Sequence, residues 1–168
     1  MESETLKPDD YKIGYSSAIA FANYEGQLIW RVFSNMLAVN TFLTGFNIAI
    51  INQYHELKWF IVVTSLLGLV LCLIWYILMS RMFSYYAYWF AWAREYEKKL
   101  YPPDFQFINN GRDFGDGNSV KVGNKEMRMP GICRIVKNKK LIHFIIILIS
   151  FIYLITMLFS IFQSLKLV

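Results

Sequence analysis

Three long apolar stretches constrain this chain more than any other feature of it. They cover about residues 32–51, 59–79 and 141–163, and each meets the roughly 17–25 mainly apolar residues that a helix needs to cross a hydrocarbon core. The second holds only Thr64, Ser65 and Gly68 as small polar or flexible positions; the third is rich in Ile and Phe, with Ser150, Thr156 and Ser160 inside it. The composition fits the same picture: 56% of the residues are hydrophobic and 17% are charged, against about 45–50% and about 25% in average soluble domains. The predicted fold class is therefore an all-α integral membrane protein with three transmembrane helices. A long helical extension of the second span and a cytoplasmic loop region complete it.

The first two spans are joined by a short polar link at 52–58, which makes them antiparallel neighbours, a membrane hairpin over 32–79. Tyr54 and Trp59 flank that link, as aromatic residues do at a membrane–water interface. Lys and Arg set the orientation. Lys58 is the only one in the link and Lys166 the only one after the third span, whereas residues 81–140 hold twelve. The positive-inside bias places that connection in the cytoplasm. The N-terminal arm, 1–31, is then cytoplasmic and helical, and the tail, 164–168, is periplasmic or external. The acidic opening of the chain does not read as a secretory signal, which starts positive and turns apolar.

Residues 80–100 contain no Gly or Pro and continue the helix of the second span until Pro102 and Pro103 stop it. A single helix over 58–100 would measure about 64 Å, twice the hydrocarbon thickness, so half of it projects as a stalk. Its aromatic residues surround it on all sides. A helix apolar all round is normally covered by protein or lipid, and the N-terminal arm covers one face. Tyr85, Tyr88, Trp89, Trp92 and Tyr96 are the expected oligomer contacts. Residues 101–139 are dense in turn formers and read as an irregular basic loop, with Val120–Lys125 at most half a small hairpin. Lys137, Lys139 and Lys140 are expected at the lipid headgroups.

Inside the first span, Asn40, Thr44 and Asn47 recur at helical spacing and share one face. Amides in hydrocarbon must be hydrogen-bonded, so this face either joins helices or lines a watery axis between subunits. No acidic or basic residue lies near the middle of a span, which argues against proton relays and coupled transport.

Catalytic and ligand signatures are missing. Asp113-Phe-Gly115 copies a kinase triplet without the surrounding motifs, and Asp113 and Asp116 lack the spacing of a calcium loop. Cys72 and Cys133 show no metal spacing, and His55 and His143 are isolated near membrane boundaries. We expect no enzyme, no cofactor and no metal. The positive charge, +5 overall, suits anionic lipids rather than nucleic acid, because the aromatics beside it continue a spanning helix.

The stretch Tyr24-Glu-Gly-Gln-Leu-Ile-Trp-Arg-Val-Phe-Ser-Asn-Met-Leu-Ala-Val-Asn40, followed by Tyr85-Tyr-Ala-Tyr-Trp-Phe-Ala-Trp-Ala-Arg-Glu-Tyr-Glu97, resembles the RipA family of small bacterial inner-membrane proteins, described as octameric. The resemblance covers about residues 15–100 well and the third span more loosely. It implies a homo-oligomer, of about eight chains, in the cytoplasmic membrane of a bacterium, and it carries no catalytic residue. The leading functional expectation is a membrane scaffold or pore-like assembly. The alternatives are a membrane-disrupting effector of a bacterial defence system, triggered through an unidentified cytoplasmic partner, and an accessory subunit of a larger transport or signalling complex.

Overall fold

The computed structural model describes residues 7–53, 58–123, 125–131, 133 and 137–165. Tyr54, His55 and Lys166, named above, lie outside these, as does Arg134, one of the twelve basic residues of 81–140. The chain is built from α1 (Pro8–Gln53), α2 (Lys58–Leu100), a 3-10 turn (Pro103–Phe105), α3 (Phe107–Gly115), a hairpin of β1 (Val120–Val122) and β2 (Lys125–Met127), and α4 (Asn138–Leu165). Three helices, α1, α2 and α4, are long and apolar enough to cross a membrane.

Local chemistry sets the ends. Pro8 opens α1, where its missing N–H costs nothing, and Asp9 and Asp10 follow in the first turn. The Lys7 backbone N–H donates to the Asp10 carboxylate at 2.9 Å, half of a capping box. At the other end of the hairpin, α2 finishes on Lys98 and Lys99, the favourable charge for a helix C-terminus, before the two prolines.

Residues 101–130 differ from the loop expected of them. Instead they contain the 3-10 turn, a helix of nine residues and a complete hairpin in the register Val120↔Met127, Lys121↔Glu126, Val122↔Lys125. Gly123, at φ +60°, takes the left-handed conformation of the tight turn between the strands. Gly117, at φ 90°, follows α3 and donates its N–H to the Phe114 carbonyl at 3.0 Å, a common way to end a helix.

The chain divides into two compact units, one of residues 1–28 with 82–138 and one of 29–81 with 139–168. In the first, the start of α1 lies against the end of α2. Buried Ala18, Ala22 and Ala93 allow the approach, Phe21 stacks on Trp89 with ring centroids 4.7 Å apart, and Tyr96 covers Gly14 so closely that a Cβ there would meet the ring at 2.8 Å. In the second, α1, α2 and α4 bury Trp75, Met79, Ile146 and Tyr153. They turn Phe42, Leu73, Phe144 and Phe162 outward. An apolar exterior of this kind suits lipid as its solvent.

Candidate functional site

Two groups of polar side chains stand out, one in each unit. The first is a polar seam among the spanning segments. On the antiparallel helices α1 and α2, Asn47 comes level with Thr64 and Ser65, and Asn40 with Cys72. The Asn47 carbonyl oxygen accepts the Thr64 hydroxyl at 2.6 Å, and its amide nitrogen donates to Ser65 Oγ at 3.3 Å. The Asn40 amide nitrogen donates to the Met36 carbonyl at 2.7 Å, and its oxygen faces Cys72 Sγ at 3.5 Å. From α4, Tyr153 donates its hydroxyl to the Asn40 backbone carbonyl at 3.0 Å, with Thr44 in hydrogen-bond reach of the same phenol. Asn40, Asn47, Ser65 and Tyr153 are all buried within the single chain.

Small residues make this seam possible. Tyr153 lies on Gly68 of α2, where an added Cβ would come within 2.5 Å of two ring atoms. Thr64 also donates back to its own helix at Phe60 and Ile61, 3.0 and 3.1 Å away, so its hydroxyl is shared rather than stranded. Of the residues singled out from sequence, Asn40, Thr44 and Asn47 do come together. Of their partners, the sequence marks Thr64 and Ser65 only as small polar positions and Cys72 only as lacking metal spacing, and it does not mark Tyr153. The antiparallel register of a short hairpin is the signal that pairs 47 with 64. His143 meets Ser80 Oγ at 3.2 Å and the Tyr76 ring at 4.6 Å, both in the same unit.

The second group is centred on Glu97, which sequence reasoning passed over as one acid in a charged run. Its residue is fully buried. One carboxylate oxygen accepts the Ile108 backbone N–H at 2.9 Å and the Tyr15 hydroxyl at 3.5 Å; the other accepts the Asn109 backbone N–H at 3.0 Å and its side-chain amide at 3.1 Å. These backbone donors are the otherwise unpaired N–H groups at the start of α3, and a carboxylate there also meets the positive end of the helix dipole. Each charge-assisted bond of this type contributes about 1.5–3 kcal/mol. Burial, and next the charge of Glu97, push the Tyr15 phenol above its ordinary range, which keeps it protonated as a donor.

The aromatic extension of α2 is divided between two uses. Trp89 and Tyr96 are spent inside the unit, on Phe21 and on Tyr11 and Gly14. Tyr85, Tyr88 and Trp92 stay exposed, at 44%, 52% and 43%, and their spacing puts them on one face. Of the three lysines expected at headgroups, Lys139 and Lys140 are exposed, but Lys137 is held by the Asp116 carboxylate at 2.8 Å. That ammonium holds Asp116 below the usual carboxylate range. Among the described residues no group of three or more His, Cys, Asp or Glu side chains forms a metal cluster.

These features define an all-α membrane protein with three candidate spans and a compact helix-and-hairpin unit. The chain belongs to the octameric membrane protein family, whose model matches residues 13–162. No curated protein and no solved structure matches it. Family membership makes it a homo-oligomeric membrane protein.

Proposed function

We propose that this chain is a structural subunit of a membrane scaffold, RipA-like in kind, that sits in a bacterial inner membrane with its N-terminus in the cytoplasm and its C-terminus outside. It carries out no catalysis. The observation that carries the reading is the exposed stripe of Tyr85, Tyr88 and Trp92 in the first unit; in the second, the buried Asn47 amide is hydrogen-bonded within the chain. Large aromatic rings in water are costly, at about 25 cal/mol per Å² of apolar surface, and a second copy of the chain is the cover that an octameric family supplies. The seam amides are already satisfied within one chain, which favours scaffold over pore. Exposed Lys139 and Lys140, just ahead of the third span, suit anionic headgroups.

The test is the mass of the particle in mild detergent. Wild type is expected as an oligomer, and the Tyr88→Glu, Trp92→Glu double variant as smaller species with unchanged helical content. An unaltered oligomer in that variant would move the interface elsewhere. Ion flux through liposomes containing wild type, lost in Asn47→Leu, would favour the pore reading instead.

A further inference from the structure

A cleft of about 720 Å³ opens in the first unit between the extension of α2, the helix α3 and the residues Met129, Cys133 and Lys137. Its apolar lining comes from Phe90, Phe107 and Met129, and its polar lining from Arg94, Arg112, Tyr86, Asp116 and Lys137. Two observations make it more than a surface hollow. Arg94 is half-buried, and its guanidinium reaches solvent in the cleft with no hydrogen-bond or ion-pair partner among the described residues, so its donors are available to a ligand. Arg112 stands close enough to repel it, and burial together with that neighbour pulls the Arg94 guanidinium below its ordinary value.

The acids nearby are already paired with cations other than Arg94. Asp116 is held by Lys137 at 2.8 Å and by Arg112 at 3.7 Å, and Glu95 pairs with Lys98 at 2.9 Å. With three cations against Asp116, the cleft keeps a surplus of positive charge. The Tyr86 hydroxyl likewise has no hydrogen-bond partner among the described residues, and burial raises its pKa, so it remains a donor. Planar guanidinium groups and a phenol donor beside apolar side chains match one chemistry well, that of a phosphate oxyanion joined to an apolar body.

We propose that this cleft is a binding site for a phosphate-class anion, held by Arg94 and Arg112 with Tyr86 as a further donor. A phospholipid headgroup and a free phosphate compound share this chemistry. The site does not depend on the scaffold reading, since every residue in it belongs to one chain.

The experiment uses the full chain in detergent and in nanodiscs. Binding of inorganic phosphate is measured by calorimetry in detergent. Retention of phosphatidylglycerol is measured by native mass spectrometry after nanodiscs of phosphatidylglycerol and phosphatidylcholine. Saturable binding in the first assay identifies a free phosphate ligand, and selective retention of phosphatidylglycerol identifies a headgroup; either supports the site. Arg94→Gln and Arg112→Gln are each expected to weaken it about tenfold, the loss of one charge-assisted contact. Lys125→Gln, on β2 outside the cleft, should leave it unchanged. Helical content by circular dichroism confirms that each variant folds. No saturable binding in either assay, or an equal loss in Lys125→Gln, overturns the proposal.

Discussion

Gly68→Ala is the most direct test of how the spanning helices are held together. The perturbation is one methyl group, placed within 2.5 Å of the Tyr153 ring. That ring is fully buried, so it has no free direction in which to swing. Two costs follow. Overpacking of a close-packed site costs about 1–3 kcal/mol. A ring displaced from Gly68 also loses its hydroxyl bond to the Asn40 carbonyl, now 3.0 Å, for about 1 kcal/mol. Against these, replacing Gly by Ala inside a helix gains up to about 1 kcal/mol. The expected net destabilisation is about 1–3 kcal/mol. Equilibrium unfolding in mixed micelles with a rising fraction of denaturing detergent, followed by circular dichroism, reads it directly. Tyr153→Ala supplies the control, because the three atoms nearest the new methyl all belong to that ring. Gly68→Ala should then be mildly stabilising, by up to about 1 kcal/mol, giving a coupling of about 2–4 kcal/mol between the two sites. A Gly68→Ala protein as stable as wild type would refute this account. So would an equal penalty with and without the Tyr153 ring.

Three further outcomes are expected. Glu97→Ala leaves the starting N–H groups of α3 unpaired, so backbone amides of 107–115 should lose hydrogen-exchange protection while those of the spanning segments keep theirs. Asn47→Leu removes the seam bonds to Thr64 and Ser65, and unfolding in micelles should show a loss of about 0.6–1.7 kcal/mol, the range for interhelical hydrogen bonds in membranes; a gain in stability would mean that the amide is not satisfied there. The Asp116 carboxyl is depressed by Lys137, so its contribution is present above the ordinary carboxyl pKa, about 3.9, and is lost as pH falls through the lower folded value. Local exchange near Lys137 should therefore rise only on strong acidification, and Asp116→Asn should show that raised exchange at neutral pH.

The spans were legible in the sequence because apolar length is a signal that tertiary context does not override. The run of α2 through residue 100 was legible for a related reason: nothing between Ser80 and Leu100 breaks a helix, and two prolines then do. The shared face of Asn40 and Asn47 followed from helical spacing alone. What escaped was α3. Its sequence, FINNGRDFG, is poor in helix formers and contains two glycines, so propensity argues for turns. The helix exists because a carboxylate on α2 accepts its first N–H groups, and no local window contains both partners. Glu97 escaped for the complementary reason. Beside Lys98 and Lys99 it reads as an ordinary solvated acid, and only the docking of α3 and Tyr15 reveals that it is enclosed. Likewise, the aromatic residues were identifiable as a group, but which of them α1 consumes depended on where Phe21 and Gly14 fall.

The capping of α3 by Glu97 also dictates a sequence of events during synthesis. Alone, residues 107–115 have little reason to be helical, and their first donors have no acceptor within the segment. The acceptor lies on a helix already complete when they emerge, and the Tyr15 hydroxyl that shares it belongs to a helix made earlier still. The segment therefore acquires its shape by landing on a surface that the preceding hundred residues have finished, and the last span follows only afterwards. A chain in which the end of α2 has not formed has no acceptor on which to build this helix, so a correctly formed α3 serves as a molecular record that α2 reached its full length.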